Sequence, residues 1–297
     1  MTEQSLIVKI DVDTLTGYLD GVPRLLSTLR SRGVRACFFL PFGPDNSGKA
    51  IRRIFRPGFL TKMIRTRAPS TYGLKTLLYG TVLPAPPIVP SNPDIPRRIL
   101  DEGHECGIHC WDHVRWQDGL KNMDRETIRQ DFDRSMELFE RFSGRRATSC
   151  AAPGWQVTGD SLAVQDELGF DYCSDVRGPG GPFLPRMNGQ AFRTPQFPTT
   201  LPTLDELYGR KDLPLERING HYTEQIRPGL NVLTAHAEME GRGQSPLFDD
   251  LLARCLDLDV RFVTMGDALR SAGPLPLCDV VEGRLPGRSG TVAVRVG

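Results

Sequence analysis

The sequence has no long apolar run: nowhere does it approach the roughly 18 consecutive apolar residues of a membrane-spanning helix. Its opening from Met1 to Asp11 passes directly into strand-like residues and lacks the basic-then-apolar pattern of an export signal, so a protein that is not exported is expected. Cysteine is sparse and unordered. The 7 residues are odd in number and form no CxxC pair, which excludes a disulfide scaffold or a zinc ribbon and suits a reducing compartment. Net charge is nearly absent, with 37 Lys+Arg against 36 Asp+Glu, which argues against a generally nucleic-acid-binding surface. No internal repeat is visible. What is present is a chain of 297 residues, 39% hydrophobic and 25% charged, with enough apolar surface for one α/β barrel or two average domains, which excludes a disordered chain and a coiled coil.

Acidic residues are missing altogether from one stretch. Between Asn46 and Pro90 stand Lys49, Arg52, Arg53, Arg56, Lys62, Arg65, Arg67 and Lys75 with no Asp or Glu. Apolar residues such as Ile51, Phe59, Met63, Leu77 and Tyr79 lie between them in spacings that suit short amphipathic helices broken at Pro57-Gly58 and Gly73. Two readings lead, an ordinary insertion with solvated arginines or an element that lies on an anionic membrane surface, where each basic residue near the lipid gains about 1 kcal/mol; a nucleic-acid-binding patch is a third, disfavoured by the few aromatic residues. We take residues 45–92 as a basic amphipathic insertion in a single unit of residues 1–273, followed by a loosely ordered Gly/Pro-rich tail at 274–297.

The remainder alternates strand-like and helix-like segments. Leu6 to Ile10, Val34 to Leu40, a strand ending at His109, Ala147 to Ala152, Phe170 to Ser174, Leu230 to Ala235 and Val260 to Thr264 read as strands. Val22 to Arg32, Pro93 to Asp101, the helix capped by Asp124 and closed by Gly144, Leu162 to Leu168 and Pro246 to Leu256 read as helices. Repeated β-then-α units predict an α/β barrel or doubly wound sheet. Gly178 to Arg227 reads as loop-rich.

Ionisable residues recur where strands end: Asp11 and Asp13, His109 and His113, Trp155, Asp175 and Arg177, and His236. A barrel gathers such positions on one rim. Residues two apart in a strand share a face, so Asp11 and Asp13 can divide the work between metal and water. The HxxxH spacing of His109 and His113, placed on one helical turn, turns both imidazoles the same way. One carboxylate and two imidazoles leave coordination positions open, as in a catalytic metal site, so Asp13, His109 and His113 are the expected ligands of one divalent ion: zinc, manganese, cobalt or iron. His104 is expected to face elsewhere. His236 reads either as a buried structural histidine or, on the shared rim, as a proton donor.

These pieces, in this order, resemble the polysaccharide deacetylase or NodB-homology family over roughly Leu6 to Leu269. The resemblance implies a distorted (β/α) barrel and metal-dependent amide hydrolysis, with Asp11 as base, Asp13, His109 and His113 on the metal, and His236 as general acid. The stretches Lys9 to Thr14, Gly43 to Asn46, His104 to His113 and Thr234 to Glu238 are similar to the branch of the family that deformylates undecaprenyl-phosphate-linked 4-formamido-4-deoxy-L-arabinose. That branch serves lipid A modification and polymyxin resistance, which implies a peripheral enzyme on the cytoplasmic face of the bacterial inner membrane. An N-deacetylase of peptidoglycan or another glycan is the alternative of the same class; a non-catalytic metal-containing lipid- or glycan-binding protein is the alternative of another. One departure stands out. Many family members carry an RxP motif whose arginine braces the base, whereas this chain reads Ala151-Ala152-Pro153. Either another cation braces Asp11 or none does; Arg177 is a candidate for that cation or for the substrate phosphate, and Asp175 and Trp155 are candidates for supporting the site.

Overall fold

The computed structural model describes residues 3–55, 73, 75–288 and 290–297. Twelve strands are present among them: β1 (Gln4–Asp11), β2 (Cys37–Pro41), β3 (Glu105–Cys110), β4 (Ser149–Cys150), β5 (Tyr172–Arg177), β6 (Leu184–Met187), β7 (Gln190–Ala191), β8 (Gln196–Thr199), β9 (Gly229–His236), β10 (Arg261–Phe262), β11 (Leu277–Gly283) and β12 (Val292–Val296). The chain from β9 through β1, β2, β3, β4 and β5 to β8 is parallel at every pairing. It closes where Thr200 N and Leu201 N both donate to Val232 O of β9 at 3.1 Å. The result is the distorted barrel expected. The distortion lies at β1, whose edge is shared by β10 at Ser5–Leu6 and by β2 from Lys9 to Asp11.

Side-chain alternation along β1 decides which residues enter the barrel. Ile7 points inward with Phe39, Tyr172, Phe197 and Val232, while Val8 and Ile10 point outward into the larger core beneath the surrounding helices. The helices start and stop as the sequence predicts. Arg125–Ser143 is opened by Asp124, whose carboxylate accepts from Thr127 N at 2.8 Å, and is closed by Gly144 at φ 75°, a left-handed conformation that glycine adopts without Cβ strain. His104 is buried outside the barrel rim and accepts from Ala36 N at 3.1 Å, as a strand-start residue.

Two segments differ from expectation. The stretch read as loops contains β8, the strand that completes the barrel; Pro198 and its short length hide it, although all four residues are buried. The C-terminal stretch from 274 is no loose tail. β11 and β12 pair antiparallel, β12 joins β5 at Val294 and Arg177, and Cys278, Val280 and Ala293 bury against Val176 and Phe183. Of the insertion, residues 56–72 and 74 lie outside the described residues. Its entry is a 3-10 helix over Ser47–Phe55 that packs on Thr76–Leu78.

Burying a lone carboxylate in the cluster beneath β11 is strongly destabilising, whereas the neighbouring exposed position tolerates one. Val280→Asp is therefore expected to lower the denaturant-unfolding free energy by roughly 3 kcal/mol or more, and Val281→Asp to change it by about 0.5 kcal/mol or less. Equal effects of the two would show that the hairpin is not part of the core.

Candidate metal centre

Lys9, Asp11 and Asp13 sit at alternate positions of β1 and its exit, so all three face the barrel interior. In the parallel ladder β9 sets Thr234 beside Lys9 and His236 beside Asp11. A carboxylate from the start of the chain and an imidazole from near its end thereby stand at one height on adjacent strands. His109 comes from the inner face of β3. The Asp112 carboxylate accepts from Arg115 N at 3.0 Å with Asp112 in extended conformation, and this cap opens the helix His113–Gly119. The two histidines thus span a strand-to-helix junction and do not share a helical turn; the cap brings their rings to a centroid separation of 5.3 Å.

The chemistry of the donor set follows from the protons. His109 Nδ1 is 2.7 Å from Ala151 O, and a carbonyl only accepts, so Nδ1 holds the proton and Nε2 offers a lone pair. His109 Nε2 and His113 Nε2 each stand 3.2 Å from Asp13 Oδ1. Asp13 Oδ1 and His109 Nε2 are buried with no hydrogen-bond partner among the described residues. Acceptors held this close repel unless a cation joins them. The ligand atoms of Asp13, His109 and His113 lie within 4.8 Å of one another, a fit for one small divalent ion with positions left open. A second group, Cys150, Cys173 and Asp175, is already satisfied internally: the thiols meet at 3.1 Å, and Asp175 accepts from Ala152 N, Gln165 Nε2 and Gln196 Nε2.

Two glutamates that the sequence reading passed over hold the centre from behind. Glu238 Oε1 accepts from Asp13 N at 3.0 Å and from Thr14 N and Thr14 Oγ1 at 2.8 Å. Glu240 Oε2 accepts from the backbone N–H of His236 at 3.0 Å. Burial, and next the charge of Asp13, pushes Glu238 up to about 8; burial pushes Glu240 up to about 8. Gly17 is required by this arrangement, because a Cβ there would overlap Glu238 Oε1. The available signal was two acids in an otherwise apolar run after His236.

The structure brings Asp11, Asp13, His109, His113 and His236 to one rim and distributes the other three candidates around it. Trp155 is buried at the exit of β4 with φ 54°, and its Nε1 donates to Thr199 Oγ1, which in turn meets Thr234 Oγ1 at 2.8 Å. Asp175 lies behind the wall and anchors Ala152, next to the carbonyl that orients His109. Arg177 does not reach Asp11. Its guanidinium pairs with both oxygens of Glu206 at 2.8 and 3.2 Å and lies 4.7 Å from the Trp155 ring centre. The cation beside Asp11 is Lys9, whose Nζ is 3.1 Å from Asp11 Oδ2. A buried ammonium without partners costs several kcal/mol, which Asp11, the Ser174 carbonyl at 3.0 Å and the faces of Trp155 and Phe39 offset.

A family model described as polysaccharide deacetylase matches residues 10–173. A protein of Shewanella sediminis named a probable 4-deoxy-4-formamido-L-arabinose-phosphoundecaprenol deformylase, ArnD, is 37% identical over 285 residues, covering 95% of this chain and 92% of its own. The chain belongs to the polysaccharide deacetylase family. A namesake from Wigglesworthia glossinidia brevipalpis is 29% identical and covers 92% of this chain and 96% of its own. Among solved structures, a Mycobacterium smegmatis protein assigned to the polysaccharide deacetylases superposes with a TM-score of 0.60 at 19% identity over 90% of both chains, a likeness of fold. Family membership makes this chain a member of a hydrolase family and accounts for the barrel.

Removing the carboxylate that fixes the Asp13 backbone is expected to weaken divalent-ion affinity by about 10- to 100-fold, the usual cost of losing support behind a ligand. Glu238→Ala, titrated with zinc against a competing chelator, checks this; affinity equal to the parent protein would leave Glu238 without that role.

Proposed function

We propose that this protein hydrolyses the formamide of undecaprenyl-phosphate-linked 4-deoxy-4-formamido-L-arabinose, with a divalent ion held by Asp13, His109 and His113. The observation that carries the reading is that the β1–β9 register sets Asp11 and His236 side by side on the rim that bears those three ligands: a binding site needs neither, and amide hydrolysis needs both. When bound, such an ion polarises an amide carbonyl and brings the pKa of water toward about 7. Asp11 Oδ1 is buried with no partner among the described residues and accepts a proton from the attacking water. His236, whose backbone is fixed by Glu240, delivers a proton to the departing sugar amine, so that formate and a free amino sugar separate. No acyl-enzyme is required. The formyl-sugar lipid as substrate rests on the two curated relatives, whose likeness runs over most of both chains. An N-acetylated glycan is the competing substrate of the same chemistry.

A lipid-linked substrate calls for a protein that meets the cytoplasmic face of the inner membrane. No helix among the described residues is long and apolar enough to cross a membrane. Support for surface docking comes from residues 46–90 of the insertion, which carry only basic charge, and from Ile51, Leu78 and Val82, which are 53%, 40% and 77% exposed around its described part.

Three outcomes follow. Metal-loaded protein incubated with the formamido-sugar lipid is expected to yield a product lighter by one CO unit in mass spectrometry, and turnover is expected to stop on chelation and return with added metal; an unchanged lipid mass refutes the deformylase reading. Asp11→Asn and His236→Ala are each expected to lower kcat by about 10²- to 10⁴-fold with metal content intact. Retained turnover in both removes the acid–base roles. Ile51→Asp combined with Val82→Asp is expected to reduce co-sedimentation with anionic phospholipid vesicles at least about 10-fold, since each substitution replaces apolar area by a repelled charge. Unaltered co-sedimentation would remove the docking surface.

A further inference from the structure

We infer that Lys9 is the positioning residue for the base, supplying from within β1 the cation that the family's arginine supplies from the loop after β4. The inference rests on the hydrolase reading above. Lys9 is fully buried, and its Nζ meets Asp11 Oδ2 at 3.1 Å and the Ser174 carbonyl at 3.0 Å. Trp155 and Phe39 enclose the same ammonium at 5.3 and 5.7 Å from their ring centres. The ammonium therefore has a place of its own, defined by β5, β2 and the turn after β4, and is not merely drawn to the nearest carboxylate.

The consequence is atomic. One Asp11 oxygen, Oδ2, is engaged by Lys9, whereas Oδ1 has no partner among the described residues and stays available to take a proton. Lys9 is two residues before Asp11 on the same inward face, one layer deeper, so the strand that carries the base also carries its anchor. Ala151 and Ala152 stand where the RxP arginine would begin, which leaves room for Trp155 to pack over the ammonium. The other buried cation of this wall, Arg177, is committed to Glu206, so Lys9 has no stand-in among the described residues near Asp11.

The test compares Lys9→Met, Lys9→Arg, Asp11→Asn and the Lys9→Met/Asp11→Asn double variant on whichever acylamino sugar the parent protein hydrolyses, with metal content measured in each. Loss of the anchor is expected to lower kcat about 100-fold through misplacement of the base, with KM and metal content within about threefold of the parent. Lys9→Arg is expected to recover most of the loss, and the double variant to be no slower than Asp11→Asn alone, because Lys9 acts only through Asp11. A Lys9→Met kcat equal to the parent's, or a double variant slower than Asp11→Asn by the full Lys9→Met factor, overturns the inference. Crystal structures of Lys9→Met and Lys9→Arg give a readout independent of substrate: Asp11 Oδ2 is expected to leave its position in the first and keep it in the second. An unmoved carboxylate in Lys9→Met overturns the inference even if the deformylase reading fails on its own grounds through lack of turnover in the parent.

Discussion

The β1–β9 ladder is the constraint on which the site depends. Eight consecutive register pairs, from Gln4 with Gly229 to Asp11 with His236, hold the two strands together without a bulge. Because side chains alternate, that register decides which residues of β1 face inward beside His236: a slip of β1 by one position would turn Lys9 and Asp11 away from the barrel and bring Val8 and Ile10 into it. The apolar layer of Ile7, Phe39, Phe197 and Val232 beneath them makes such a slip costly. The polar rim is thus secured by the packing of residues that take no part in chemistry.

Electrostatics then arranges the rim in depth. Lys9 lies lowest, paired with Asp11; the donor atoms of Asp13, His109 and His113 converge above it; Glu238 and Glu240 hold the backbone of β1 and β9 from outside. Asp11 and His109 each have one atom engaged and one without a partner among the described residues. His109 shows the logic plainly, since the Ala151 carbonyl takes its Nδ1 proton and so turns the Nε2 lone pair inward. Such a set is unfavourable without a cation, which is the physical meaning of buried acceptors left in contact.

The same barrel wall is thickened by the C-terminal segment, which lies beyond the residues 10–173 that the family model matches. The C-terminal hairpin extends β5 and carries Arg288 to 4.4 Å from the Trp155 ring centre, where it joins Arg177 on Glu206 at 3.4 Å. Trp155, held at a positive φ and bonded through Thr199 to Thr234, joins the loop after β4 to the layer that contains Lys9. The described entry of the insertion is tied to the other side of the rim, where Asn46 donates to Asp112 at 2.6 Å and Asp45 accepts from Leu15 N at 2.8 Å. A surface that docks at a lipid headgroup would in this way be mechanically continuous with the capped turn that positions His113.

How much of this was readable in advance differs by residue. The βα alternation, the caps at Asp124 and Gly144, and the gathering of Asp11, Asp13, His109, His113 and His236 follow from local pattern and chain order, because periodicity and cap chemistry act over a few residues and strand ends in a barrel share one rim. β8 and the C-terminal hairpin were not legible, since Pro-containing or Gly-flanked strands are stabilised by neighbours distant in the chain. Nor was Lys9. Nothing local says that a lysine in an apolar strand finds a carboxylate two residues on, a carbonyl of β5 and two aromatic faces, while Arg177, the cation the sequence suggested, is claimed by Glu206. The sequence by itself determined which ligand types exist and in what order they arrive; tertiary structure alone decided which cation faces which anion, because pairing energies in a dry interior depend on geometry that spacing along a chain does not encode.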